Sequence, residues 1–103
     1  MDAVDHVKSY LRGQNLEQLG RVDEAIESYE SAVAAGFDST GPYDRLITIY
    51  SSRSLHADVV RVIDSALENV QTHEDKRAWY RTIRSEAVRL GGTVPEAAPR
   101  RNP

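Results

Sequence analysis

The chain is 103 residues long, 40% hydrophobic and 28% charged, with a net charge of −3 and no cysteine. That length holds one domain and permits a core without covalent staples. It excludes disulfides and thiolate metal sites for want of cysteine, and no apolar run approaches the roughly 20 residues a membrane span needs.

The opening Met1-Asp2-Ala3-Val4-Asp5 is acidic where a secretory signal would be basic, so a cytoplasmic location is expected. Residues 1–40 carry eight acids and three bases, a net −5; residues 41–103 carry eight acids and ten bases, a net +2. The late bases are Lys76, Arg77, Arg81, Arg84, Arg89, Arg100 and Arg101. A chain polarised in this way can attract an acidic partner or associate head to tail, although charge runs of this size usually just solvate helix faces. Eleven of the 13 basic residues are arginine, a bias that fits a GC-rich bacterial genome.

Apolar spacing is helical along most of the chain. A first helix carries Val4, Val7, Leu11 and Leu16 and ends near Gly20. A second carries Val22, Ala25, Ile26, Tyr29, Ala32 and Val33 at i, i+3, i+4, i+7, i+10 and i+11, a full amphipathic stripe. Asp23 and Glu24 sit in its first turn, favoured by the helix dipole, and Gly36 ends it. A shorter third helix carries Tyr43, Leu46, Ile47 and Tyr50, with Pro42 at a first position that needs no N–H. The fourth carries Val59, Val62, Ile63, Ala66, Leu67 and Val70. The fifth carries Trp79 or Tyr80, then Ile83, Ala87 and Leu90, and stops at Gly91-Gly92. No segment alternates with the period of a half-buried strand. The remainder, Thr93 to Pro103, holds three prolines and little apolar surface and reads as a disordered tail. Short linkers make successive helices antiparallel neighbours, so the expected fold is all-α, with five helices.

The helices repeat. At a spacing of 34 residues Leu16 becomes Tyr50, Gly20 becomes Ser54, Ala25 becomes Val59, Tyr29 becomes Ile63, Ala32 becomes Ala66 and Val33 becomes Leu67. Small residues at Ala32 and Ala66 allow close helix approach, and the large ones at Tyr29 and Ile63 fill the adjoining space. A helix pair cannot bury its own stripe, so pairs stack.

The run Gly13-Gln14-Asn15-Leu16-Glu17-Gln18-Leu19-Gly20-Arg21-Val22-Asp23-Glu24-Ala25-Ile26-Glu27-Ser28-Tyr29-Glu30-Ser31-Ala32 resembles the tetratricopeptide repeat family. In that resemblance Gly13 is the close-packing glycine of helix A, Gly20 the turn glycine, and Ala25, Tyr29 and Ala32 the signature of helix B. It implies one domain over residues 1–90, with repeats at about 6–39 and 40–73 and a capping helix at about 74–90, followed by a disordered tail over 91–103. The stretch Gly36-Phe37-Asp38 with Gly41-Pro42-Tyr43-Asp44-Arg45-Leu46 is similar to small bacterial and phage proteins of this type. The pattern departs at Arg12, where the family usually has leucine and Leu11 is the substitute. It departs again at Phe37, in place of the closing proline, and at Ile47, in place of a small residue.

The family binds extended peptides or helices in a concave groove lined by helix A. Carried over, the resemblance gives Tyr10, Gln14 and Glu17 from the first repeat, Asp44, Thr48 and Ser51 from the second, and Arg81 with Arg77 from the capping helix. The lysine and asparagine of the family's two-carboxylate clamp are absent, because Tyr10 and Gln14 stand in their places. An acidic C-terminal peptide of the chaperone kind is therefore not the expected ligand. Trp79-Tyr80 is read as a cap on the second repeat, with an interface anchor as the alternative.

Other chemistry has little to stand on. His6, His56 and His73 share no metal-ligand spacing. The serines have no base or orienting acid at a suitable interval, and with no strand there is no phosphate-cradling strand-loop-helix. Asp23, Glu24, Glu27 and Glu30 read as a solvated face rather than an acid/base pair. The expectation is a protein-binding module that is not an enzyme and has no cofactor or metal. Self-assembly into a homo-oligomer is the alternative, and nucleic acid is disfavoured by two repeats at a pI near 5.5.

Overall fold

A computed structural model describes residues 3–92. Five α-helices make up the described chain: α1 (Ala3–Gln18), α2 (Val22–Ala34), α3 (Gly41–Ser52), α4 (His56–Asn69) and α5 (Glu74–Arg89). The predicted tail lies outside the described residues from Thr93 onward.

Each helix packs antiparallel on the next, and α1 touches α3 while α2 touches α4. The result is two layers, α1, α3 and α5 in front and α2 and α4 behind. Between them lies a continuous core of Leu16, Ala25, Tyr29, Val33, Tyr43, Leu46, Ile47, Tyr50, Val59, Val62, Ile63, Ala66, Val70, Tyr80 and Ala87. This is the all-helical array of antiparallel helix pairs that the periodicity predicts.

The 34-residue period is visible in the backbone itself. Gly20 and Ser54 both adopt the left-handed conformation, at φ 77° and 58°. The residues that follow, Arg21 and Leu55, sit at φ −93°, ψ 67° and φ −91°, ψ 68°. Arg21 N–H donates to Leu16 O and Leu55 N–H to Tyr50 O, each at 2.9 Å. Gly20 N–H bonds Glu17 O and Ser54 N–H bonds Ser51 O, each at 3.0 Å. These bonds satisfy carbonyls that a helix end leaves orphaned. α2 and α5 close in the same way, through Phe37 N–H to Ala32 O and Gly92 N–H to Ala87 O. α4 does not: Val70, the residue that follows its last turn, is extended. There the Arg77 guanidinium reaches back from α5 and donates to Leu67 O at 3.1 Å and Val70 O at 3.3 Å.

One detail departs from what the sequence predicts, and another resolves a choice the sequence leaves open. Val7 and Leu11 are 45% and 54% exposed, so α1 does not present a plain apolar stripe to the core. It faces inward through Leu16 and Gly13, and a side chain at Gly13 would lie 2.6 Å from the Tyr29 ring. Leu11 therefore does not fill the place that Arg12 leaves, and both are exposed. In α5, Tyr80 is fully buried and Trp79 is 39% exposed, which settles which aromatic of that pair packs inward.

Candidate functional site

Three buried tyrosines organise the polar contacts between helices, and each gives its hydroxyl proton to a carboxylate that also holds a cation. Tyr29 of α2 donates to Glu17 Oε1 of α1 at 2.7 Å, and Arg45 of α3 grips the same carboxylate through Nε and Nη2. Tyr50 of α3 donates to Glu30 of α2, which Arg61 of α4 holds with both terminal nitrogens. Tyr80 of α5 donates to Asp44 Oδ1 of α3 at 2.9 Å, and Lys76 Nζ lies 2.7 Å from Asp44 Oδ2.

The Arg45 guanidinium holds the Glu17 carboxyl below its ordinary value, against a smaller opposing effect of burial. Burial, reinforced by the neighbouring carboxylates, pushes the hydroxyls of Tyr29 and Tyr80 far up. Both tyrosines thus stay protonated donors near neutrality, and the Glu17 carboxylate stays charged and paired.

Two of these clusters lie on the α1–α3–α5 face. Between α1 and α3, Gln14, Glu17, Gln18, Tyr29 and Arg45 line an open depression of about 320 Å³. Its floor is the neutralised Glu17–Arg45 pair; Gln14 and Gln18, one helical turn apart, form its rim. The Tyr10 ring packs on Gly41 at the start of α3, and its hydroxyl accepts a hydrogen bond from Gln14 Nε2 at 3.0 Å. Exposed Thr48 sits one turn beyond both Asp44 and Arg45, between the two clusters. Past Asp44, the Lys76 ammonium lies 4.1 Å from the Trp79 ring centroid, a cation–π contact that holds the partly exposed indole beside Tyr80.

Of the predicted binding residues, the structure gathers Tyr10, Gln14, Glu17, Asp44, Thr48 and Ser51 on this face. Glu17 and Asp44 are already engaged within the chain. Arg77 and Arg81 are not brought there. Arg77 caps α4, Arg84 binds Asp64 of α4 at 2.6 Å, and Arg81, on the same stripe of α5, pairs with Glu74. The face instead takes Arg45, Gln18, Lys76 and Trp79, of which the sequence singles out Trp79 as half of an aromatic pair and Lys76 as part of the late basic run. The signal for Arg45 was its charge opposite to Glu17 on the next front helix, legible only once α1 and α3 are known to be adjacent.

Such a surface offers side-chain amides, a hydroxyl and an aromatic plane around two charge-neutral clusters. That suits hydrogen bonding to a peptide backbone and stacking against one side chain. No helix among the described residues is long and apolar enough to cross a membrane. Comparisons with protein-family models, with curated proteins and with solved structures find no match to this chain.

Proposed function

We propose that this protein is a tetratricopeptide-type interaction module of the cytoplasm, holding an extended segment of a partner protein across its α1–α3–α5 face. The observation that carries this reading is the open depression whose ion pair is already neutralised from within, leaving Gln14 and Gln18 on its rim. A ligand there meets donors and acceptors without having to strip an unpaired charge of water. Amides one helical turn apart are spaced like alternate residues of an extended strand, roughly 6–7 Å. Trp79 supplies an anchor of the amphipathic, rigid kind that concentrates binding energy at interfaces.

The test uses a partner captured from cell extract and a peptide mapped from it, titrated against single variants. Trp79→Ala should weaken binding at least tenfold, and Gln14→Ala, Gln18→Ala and Thr48→Ala by smaller factors. Arg81→Ala, on the stripe turned towards α4, should leave affinity unchanged. Equal affinity for all the face variants would refute the assignment.

A further inference from the structure

The two seams of the front layer are built differently. The first, between α1 and α3, holds the Glu17–Arg45 pair and the Tyr29 hydroxyl. Thirty-four residues on, Glu17 and Tyr29 become Ser51 and Ile63, which provide neither the carboxylate nor the phenol. The polar depression is therefore particular to the first seam. At about 320 Å³ it stands at the small end of the ~300–1,000 Å³ typical of ligand sites, with room for one side chain.

The floor of the depression is committed to itself. Glu17 Oε1 accepts from the Tyr29 hydroxyl and from Arg45 Nε, and Glu17 Oε2 accepts from Arg45 Nη2. That leaves Arg45 the two N–H of Nη1, on a side chain 42% exposed. On the rim, Gln14 gives Nε2 to the Tyr10 hydroxyl and keeps its Oε1 as an acceptor. Exposed Gln18 contributes a whole carboxamide, donor and acceptor together.

Each class of side chain meets that set differently. A carboxylate would reach Nη1 but lie beside the Glu17 carboxylate. A lysine or arginine would face the Arg45 guanidinium over a Glu17 whose oxygens are taken. In both cases a charge loses water without a free opposite charge to meet. A hydrocarbon side chain would cover Nη1 and Gln14 Oε1 and leave them unpaired. A carboxamide satisfies both at once, its oxygen accepting from Arg45 and its NH2 donating to Gln14 or Gln18.

We propose, on the reading of the α1–α3–α5 face as the binding surface, that the depression selects an asparagine or glutamine side chain of the bound segment. Arg45 reads its oxygen, and Gln14 with Gln18 reads its NH2.

The test is heteronuclear NMR of the full chain, following the Arg45 Nε–H and the Gln14 and Gln18 side-chain amides. The probes are the N-acetyl, methylamide derivatives of glutamine, glutamate, lysine and norleucine, added singly at matched concentrations. The glutamine probe should shift these signals saturably and bind about tenfold more tightly than the other three. Gln14→Ala and Gln18→Ala, both exposed and outside the ion pair, should reduce that preference. Glu17→Gln leaves Arg45 without its counter-charge and should move the preference to the glutamate probe. Equal responses to the four probes, no response to glutamine, or a parent preference for glutamate or lysine would overturn the amide selectivity. If the face variants still weaken a captured partner, such a result leaves the binding surface standing and removes only its selectivity.

Discussion

Gly20 and Ser54 occupy the same turn with the same hydrogen bonds, yet only one of them is suited to its backbone. At φ 58° Ser54 carries a side chain in the left-handed region, which costs a non-glycine residue about 1–2 kcal/mol. Replacing it by glycine removes that strain but gives the unfolded chain extra freedom worth about 0.4–1 kcal/mol. The net expectation for Ser54→Gly is a gain of about 1 kcal/mol. The reciprocal change, Gly20→Ser, places serine at φ 77° with no atom within 4 Å of the added carbon, so no steric clash obscures it. It should cost about the same 1 kcal/mol. Urea unfolding is the assay: the two midpoints should move in opposite directions by roughly 0.3–1 M with an unchanged slope, and Tm by about 4–8 °C. The double variant should return close to the parent if the two turns are independent. A destabilised Ser54→Gly, or a neutral Gly20→Ser, would refute the claim that the turns are physically equivalent.

Three further outcomes follow from the packing. Gly13→Ala pushes a methyl against the fully buried Tyr29 ring, and overpacking of about 1–3 kcal/mol should outweigh the better helix propensity of alanine, read as a lower urea midpoint. Because Arg45 lowers the pKa of Glu17 in the folded state, the unfolded state takes up the proton first as pH falls. The stability Glu17 contributes is therefore present above the ordinary value of 4.5 and lost as pH drops below it, and Glu17→Gln should flatten that part of a plot of urea midpoint against pH. Arg77→Ala leaves the last carbonyls of α4 without their donor and should cost about 1–2 kcal/mol, with hydrogen exchange accelerating first in the last turn of α4.

The helices were legible because their signals are local. Pro42 opens α3, glycines end α1, α2 and α5, and of the fourth predicted stripe Val59, Val62, Ile63, Ala66 and Val70 are buried, with Leu67 half-buried. Hydropathy misreads α1 because that helix approaches α2 through a glycine, which carries no hydrophobic signal but admits the Tyr29 ring. Val60, outside the predicted stripe, is buried as well, because α4 is packed against α3, α5 and α2.

The binding face was legible where the period holds and lost where it slips. α3 begins at Gly41 and α5 at Glu74, 33 residues later, after a linker shortened from six residues (35–40) to four (70–73). Neither offset finds the face: at 34 residues Asp44 and Thr48 map onto Ala78 and Thr82, at 33 onto Arg77 and Arg81, whereas the α5 cation that meets Asp44 is Lys76. The engagement of Glu17 and Asp44 within the chain was illegible for another reason. Their partners Arg45 and Tyr80 are 28 and 36 residues away, and only the packed layers bring them together.

The tyrosine–carboxylate–cation clusters also bear on how the array comes apart. Stacked helix pairs that touch only their neighbours fray from the ends, one pair at a time. Here the Glu17 cluster ties α1, α2 and α3, and the Glu30 cluster ties α2, α3 and α4. The two overlap by two helices, so neither terminal helix pair can peel away without breaking a clasp that reaches into the other pair. The chain is braced across its repeats as a truss is braced across its panels, and its melting should be shared along the whole length of the array.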